Sequence, residues 1–218
     1  MSSLKRDPLH EISRHFDCSD TRNVGNEGLT YNNIRAICHY TGQSGECASD
    51  IVNPILRSIA KLPESKRQKY FDNLRMKIVV SRIQEFVKQM DDAISKVKLP
   101  KGLILYRGID YEKVTAELGS GIEIGMVIRD AGYMSSSYKE NVAFRFAVPC
   151  TFSDDDVIER KPLYVITIKS DQHGAVSHHE CEVILPRGSV IQCLDIIDVY
   201  DRRYFIMDYL SVEKGVEV

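Results

Sequence analysis

The hydrophobic period of this sequence changes once, near Gly102, and that change limits the fold more than any other feature. Over 31–98, apolar residues recur at every third or fourth position, which is the period of helices that pack through one face. Over 102–210, short runs rich in β-branched and aromatic residues, such as Leu163 to Ile168, are separated by Gly, Pro or Asp. Helices followed by strands predict an α+β fold rather than alternating βαβ units.

Local signals mark several element boundaries. Ser49-Asp50 and Pro63-Glu64-Ser65 are typical helix starts, and Leu99-Pro100-Lys101-Gly102 closes the helical part. Asn141 to Phe146 predict a short helix between strands, and Val199 to Met207 predict a terminal hairpin.

Composition and charge exclude some classes of function. The 218 residues are 43% hydrophobic with a net charge of −2, so they can bury a core but lack the generally basic surface that a phosphate backbone requires. No apolar run is long enough to span a bilayer, and the start Met-Ser-Ser-Leu-Lys-Arg-Asp-Pro is not a signal peptide. We expect a flexible leader over 1–28 and a single domain over 29–218, forming a soluble monomer that binds neither nucleic acid nor membrane.

Two polar stretches in the β-rich part carry groups suited to chemistry. In Tyr106-Arg107-Gly108, a guanidinium at a strand end could hold a pyrophosphate through both of its arms, beside a glycine that lets the backbone approach a ligand. A solvated strand-end arginine would have the same pattern. Ser135-Ser136-Ser137 places three hydroxyls before the predicted short helix, where a serine-rich turn or helix cap is the alternative.

A third stretch, Glu180-Cys181-Glu182, precedes the apolar run Val183-Ile184-Leu185. In a strand, residues two apart point to the same side, so both carboxylates are predicted to share one face and Cys181 the other. The continuous apolar run indicates burial on both faces. A half-buried pair of like charges needs partners, which favours a functional site, and an ordinary strand leaving a loop is the alternative.

In this order, the arginine, the serine triplet and the Glu-x-Glu pair resemble the Arg-Ser-Glu class of mono-ADP-ribosyltransferases, best known among bacterial toxins. In the helical part, Tyr40-Thr41 and Ile51-Val52-Asn53-Pro54-Ile55-Leu56-Arg57 are similar to that family's Tyr-Thr and Ile-x-Asn-x-x-Leu-Arg patterns. Downstream, Leu185-Pro186-Arg187-Gly188-Ser189 resembles its exit turn. The resemblance extends over about residues 31 to 198 and implies two packed, roughly perpendicular β-sheets with an N-terminal helical part.

The resemblance also implies a reaction, in which NAD is the co-substrate and no metal takes part. Glu182 would bind the ribose 2′-hydroxyl and stabilise an oxocarbenium-like state, with Ser135 positioning its carboxylate and Arg107 gripping the phosphates. Glu180 would orient the incoming acceptor and take a proton from it. The NAD-binding set implied by the family comprises Asn53, Arg57, Arg107, Gly108, Ser135, Ser136, Ser137 and a ring, Phe144 or Phe146, for which core packing is the alternative.

The acceptor implied by the family is a side chain of a target protein. Glutamate at position 180 is associated with arginine as the acceptor. Three departures keep threonine, serine or another side chain open: Ser136 replaces the usual threonine, Ser177-His178-His179 stand where an aromatic is usual, and the acidic loop from Cys150 to Lys161 is long. A secreted effector or toxin acting in a host cytosol, without a classical signal peptide, fits the resemblance.

Other readings compete with this one. His173, His178, His179 and Cys181 are residue types that bind zinc, although adjacent residues on a strand diverge. Cys181 could be a nucleophile, but it would face away from the carboxylates. NAD hydrolysis with water as acceptor, or a non-catalytic interaction module that keeps the fold, completes the alternatives.

The roles assigned to the two glutamates predict different outcomes for their variants. Glu182→Ala is expected to abolish both transfer and NAD hydrolysis, because the charge that stabilises the oxocarbenium-like state is lost. Glu180→Ala is expected to lose transfer and keep some hydrolysis, because that residue serves the acceptor. Incubating the protein with labelled NAD and a cell lysate distinguishes the three alternatives. Label on protein indicates transfer, free ADP-ribose alone indicates hydrolysis, and neither product indicates a non-catalytic module. Full transfer activity in the Glu182 variant would contradict the assignment.

Overall fold

The helical half predicted for 31–98 is confirmed in a computed structural model, which describes residues 28–42, 47–71, 74–152, 159–177 and 181–213. Its helices are α1 (Tyr31–Tyr40), α2 (Ser49–Ala60), α3 (Glu64–Phe71) and α4 (Leu74–Lys96). Helices α2 and α3 begin at the predicted start signals. The predicted leader lies outside the described residues except for Gly28. Among the described residues, no helix is long and apolar enough to cross a membrane.

The remainder of the chain is dominated by strands. They are β1 (Lys98–Leu99), β2 (Ile104–Gly108), β3 (Val127–Asp130), β4 (Met134–Ser137), β5 (Cys150–Thr151), β6 (Glu159–Thr167), β7 (Gln172–His173), β8 (Ala175–Ser177), β9 (Glu182–Leu185), β10 (Ser189–Val199) and β11 (Arg202–Val212). Helix α5 (Tyr111–Leu118) follows β2, and α6 (Glu140–Phe146) follows β4 as the predicted short helix. Strands β10 and β11 form the predicted terminal hairpin, although each is eleven residues long.

Helix α5 is absent from the sequence-based prediction. Both of its ends are capped: the Asp110 carboxylate accepts the backbone N–H of Lys113, and Gly119 ends the helix with φ of 75°. No residue of α5 is buried. Three partly buried residues, Tyr111, Val114 and Leu118, pack against the hydrophobic core, so the apolar face of this eight-residue helix is short.

The main sheet has a weak seam in the middle of its strand order. The order is β3-β10-β11-β6-β2-β4-β9-β8, with β5 also paired to β6, and β1 and β7 form a separate two-stranded ribbon. Among the strand pairs that the structure describes in this sheet, only β6 and β11 run parallel. The register between β2 and β4 consists of one residue pair, Tyr106 with Ser137, so two parts of the sheet meet there with little shared ladder.

Two hydrophobic cores lie on either side of β4 and β9. The larger core packs the two parts of the sheet together, and its members include Leu105, Ile166, Met207, Met134, Val183 and Leu185. The second core packs the helices against the sheet, and its members include Tyr40, Leu56, Met90, Tyr133, Ala175 and Ile184. This mixed arrangement of packed sheet layers and helices confirms the predicted α+β fold class.

Strand β9 is buried on both faces, as the sequence predicts. Val183 and Leu185 enter the larger core, whereas Ile184 enters the helical core. Residues directly opposite in an antiparallel pair share a face. Because Ser135 pairs with Ile184 and Ser137 pairs with Glu182, these polar side chains share the face of the sheet on which the helices pack.

A buried polar network fixes where β4 begins relative to the helices. The Asn53 amide donates to the Tyr40 hydroxyl at 2.9 Å and accepts the backbone N–H of Tyr133 at 2.9 Å. The Tyr40 hydroxyl donates in turn to the Tyr133 carbonyl at 3.2 Å. Burial raises the pKa of both tyrosines, so both stay neutral. One asparagine on α2 therefore joins α1 to the start of β4.

We expect Asn53→Ala to lower the free energy of unfolding by about 2–4 kcal/mol, because the Tyr133 N–H loses its acceptor and stays buried. Urea denaturation of the variant measures this change. Asn32→Ala, at an exposed position of α1, is the matched control and should change stability by less than about 0.5 kcal/mol. Equal stabilities of the two variants would contradict the structural role of Asn53.

Candidate active site

A cavity of about 390 Å³ opens at the seam between β2 and β4. It brings together residues that the sequence places far apart on β2, β4, α6 and β9. The predicted site residues that line it are Arg107, Gly108, Ser135, Ser136, Ser137, Phe146 and Glu182. Tyr40 and Thr41, at the end of α1, also line it.

A chain of hydrogen bonds links the arginine, the first serine and the second glutamate. The Ser135 hydroxyl donates to Oε1 of Glu182, and Arg107 Nη1 donates to the Ser135 carbonyl oxygen. Glu182 is only 6% exposed, so its carboxylate is held in place by the protein rather than by bulk water. The arrangement presents one oriented carboxylate and one guanidinium to the same cavity.

The turn before β9 depends on Cys181, whose φ is 52°. Its carbonyl oxygen accepts from the Ser137 hydroxyl at 2.9 Å and from the Tyr138 N–H at 3.2 Å. The Ser137 hydroxyl also accepts the Lys139 N–H at 3.0 Å, so this serine is occupied in holding the turn. A left-handed residue is uncommon outside glycine, and here two hydrogen bonds stabilise it.

The extended strand predicted through Cys181 is therefore wrong at that residue. Strand β9 begins at Glu182, and the left-handed Cys181 breaks the alternation on which the shared-face prediction rested. Cys181 itself is buried in the larger core, away from the cavity. Glu180, together with His178 and His179, lies outside the described residues, and its role stays a prediction.

The two phenylalanines of α6 have different surroundings. Phe146 is 60% exposed and lines the cavity. Phe144 lies between two cations, with Lys161 Nζ at 4.4 Å and the Arg202 guanidinium at 4.5 Å from its ring centre. Such contacts hold Phe144 against β6 and β11. Of the two rings, Phe146 is the one placed to meet a ligand in the cavity.

A larger cavity, of about 540 Å³, lies beside the first and shares Arg107 and Gly108 with it. Arg57 lines this second cavity and is gripped by Asp130, through Nε to Oδ1 and Nη2 to Oδ2, both at 2.8 Å. Burial opposes the charged guanidinium, but Asp130 outweighs it and raises the pKa of Arg57. Asn53, also predicted to bind NAD, lines neither of these cavities and supports β4 instead.

The comparisons with known proteins agree with this geometry. Residues 20–214 match the sequence model of the ADP-ribosyltransferase exoenzyme family. The chain belongs to that family. A search among curated proteins returns no match.

Solved structures of bacterial ADP-ribosyltransferases share its fold. Vis of Vibrio splendidus, solved with agmatine, is 16% identical over 97% of this chain and 88% of its own, with a TM-score of 0.57. C3stau2 of S. aureus, solved with NAD, is 16% identical over 93% and 95%, with a TM-score of 0.61. The C3 exoenzyme of Clostridium limosum is 16% identical over 94% and 93%, with a TM-score of 0.55.

A zinc site formed by His173, His178, His179 and Cys181 was one alternative that the sequence left open. The described residues contain no cluster of three or more His, Cys, Asp or Glu side chains arranged to hold a metal ion. Two of the candidate ligands, His178 and His179, lie beyond the part of the chain that the structure describes.

Residues at the larger cavity that the sequence analysis did not single out include Lys113 and Asp130. Lys113 lies on α5, the helix that the sequence analysis does not predict. Asp130 ends a four-residue strand and belongs to no local motif. Its ion pair with Arg57, 73 positions earlier in the chain, identifies Asp130 as part of the cavity wall.

Gly108 is required where β2 passes α6. A Cβ at this position would lie 2.2 Å from the Ala143 carbonyl oxygen and 2.5 Å from the Ala147 nitrogen. Backbone atoms cannot rotate away as a side chain does, so any larger residue must displace the helix. Gly108 thus lets the strand and helix close around the junction of both cavities.

We expect Gly108→Ala to lower the free energy of unfolding by about 2–3 kcal/mol and to weaken NAD binding, because α6 must move. Thermal melting with and without NAD measures both effects. Gly121→Ala is the control, since its Cβ would meet only the Tyr111 hydroxyl, at 3.2 Å, and it should melt within a few degrees of the wild type. A Gly108 variant that matches this control would show that the contact with α6 is dispensable.

Proposed function

We propose that the protein transfers ADP-ribose from NAD to an arginine side chain of a target protein and releases nicotinamide. The observation that carries this proposal is the hydrogen-bonded chain from Arg107 through Ser135 to Glu182, at the meeting point of two cavities. Membership of the ADP-ribosyltransferase exoenzyme family supports the reaction type.

In this proposal, Glu182 acts on the ribose next to nicotinamide. Cleavage of the bond between nicotinamide and ribose develops positive charge on the sugar, and a fixed carboxylate stabilises that charge without having to reorganise. Ser135 keeps the carboxylate in one orientation through its hydroxyl. Phe146 offers an exposed ring at the same cavity, suited to packing against nicotinamide.

Arg107 would serve the other half of NAD. It lines both cavities, so a ligand that occupies both must pass it. The diphosphate of NAD lies between its two nucleoside halves and needs a cation, and a guanidinium matches phosphate oxygens with two parallel donors. The larger cavity would then hold the adenosine half, next to the paired Arg57 and Asp130. C3stau2, which shares the fold, was solved with NAD.

Arginine is the proposed acceptor for two reasons. A guanidinium is protonated and a poor nucleophile, and Glu180 supplies a second carboxylate close to Glu182 in the chain, which could take its proton. In addition, Vis was solved with agmatine, a small molecule that ends in a guanidinium. We further infer a secreted effector that modifies a host protein, which is supported by structural neighbours described as toxins.

The test uses the full chain, adenine-labelled NAD and agmatine as a small acceptor. We expect nicotinamide and ADP-ribosyl-agmatine to form in equal amounts. Glu182→Gln keeps the size of the side chain but removes its charge, so the rate should fall at least about a hundredfold. Glu123→Gln, which makes the same change at an exposed site outside both cavities, should keep the wild-type rate.

Other results would reassign the function. Free ADP-ribose without labelled agmatine or labelled protein would identify water as the acceptor. Label on lysate proteins at threonine or serine, located by mass spectrometry, would overturn the choice of arginine. Neither product from the wild type would leave only the non-catalytic module.

A further inference from the structure

One buried hydroxyl beside the proposed site is unsatisfied. Tyr164 is 4% exposed, and its hydroxyl has no hydrogen-bond partner among the residues that the structure describes. Three other buried tyrosines, Tyr40, Tyr133 and Tyr209, each form such a bond. A buried polar group without a partner is costly, so an orphan of this kind calls for an explanation.

The position of Tyr164 suggests which ligand group could accept a hydrogen bond from its hydroxyl. It lines the larger cavity, together with Arg107. The two residues are direct register partners in the antiparallel pair of β2 and β6, so their side chains leave the same face at neighbouring points. Tyr164, with its orphan hydroxyl, therefore lines the same cavity as the guanidinium that we assign to the diphosphate.

Tyr164 is also prepared to act as a donor. Burial raises the pKa of its hydroxyl, against a smaller opposing effect of Arg107, so the proton is retained at neutral pH. Its ring makes an edge contact with Phe205, with ring centres 6.1 Å apart, which restrains the direction of the hydroxyl. A fixed donor loses little entropy when it binds an acceptor.

We propose that Tyr164 is a further NAD-binding residue, whose hydroxyl donates a hydrogen bond to a phosphate oxygen of the ADP half, beside Arg107. This inference rests on the proposed function, because it requires NAD in the two cavities. It assigns no chemical step to Tyr164. The residue contributes to binding NAD equally before and during the reaction, so it should affect KM rather than kcat.

The test is Tyr164→Phe in the full chain, which keeps the ring and removes only the hydroxyl. ADP-ribose, titrated by calorimetry, is the probe because it contains the diphosphate and is not consumed. We expect its Kd to rise about tenfold or more, as for a lost hydrogen bond to a charged group. The KM for NAD should rise in parallel with kcat unchanged, and the melting temperature without ligand should stay the same or increase.

Tyr209→Phe is the matched control. It removes a phenolic hydroxyl from the same core, at a residue that lines neither cavity and that bonds Ser189 at 3.2 Å. It should lower the melting temperature slightly and leave the Kd for ADP-ribose unchanged. The two variants should therefore show opposite patterns. Tyr164→Phe should bind ADP-ribose more weakly without losing stability, whereas Tyr209→Phe should lose some stability and bind ADP-ribose as the wild type does.

Two outcomes would overturn the inference, and they are distinguishable. If the wild type binds ADP-ribose and Tyr164→Phe binds it equally well, Tyr164 has no role in binding while the proposed function stands. If the wild type binds neither ADP-ribose nor NAD, the proposed function falls and this inference falls with it.

Discussion

The antiparallel pairing of β4 with β9 is the interaction on which the rest of the site depends. Both strands lie between two hydrophobic cores. A shift of register by one residue would turn the side chains that fill one core toward the other, so both cores would have to repack. The cost of such a shift holds Ser135 within reach of Glu182. Packing of apolar side chains, rather than attraction between polar ones, therefore determines where the proposed catalytic carboxylate stands.

Secondary contacts protect this pairing from each end. At the start of β4, Asn53 holds Tyr133 and joins the strand to two helices. At the start of β9, the Ser137 hydroxyl holds the left-handed Cys181. Neither residue needs to touch NAD to matter for the proposed reaction, because each fixes a strand that carries a residue proposed to bind NAD.

Hydrophobic period and motif order together predict the fold class, the helical half, the burial of Val183-Ile184-Leu185 and the convergence of Arg107, Ser135 and Glu182. The sequence did not predict the backbone conformation of Cys181, because a left-handed cysteine has no sequence signal. The sequence also did not predict how the short helix α6 packs against the sheet. Phe144 and Phe146 point in different directions from one helix, and the choice between them depends on how α6 lies over Gly108. The pairing of Arg57 with Asp130 spans 73 positions and is equally invisible locally.

The close approach of Asn53 to Gly132 also constrains how this chain can vary. A Cβ at position 132 would lie 2.8 Å from Asn53 Oδ1, and the Asn53 side chain cannot retreat while it holds both Tyr40 and Tyr133. A larger residue at position 132 therefore demands a smaller one at position 53. Two residues almost eighty positions apart, on a helix and in a loop, are therefore coupled in one direction: position 132 has to stay glycine for as long as Asn53 holds both tyrosines.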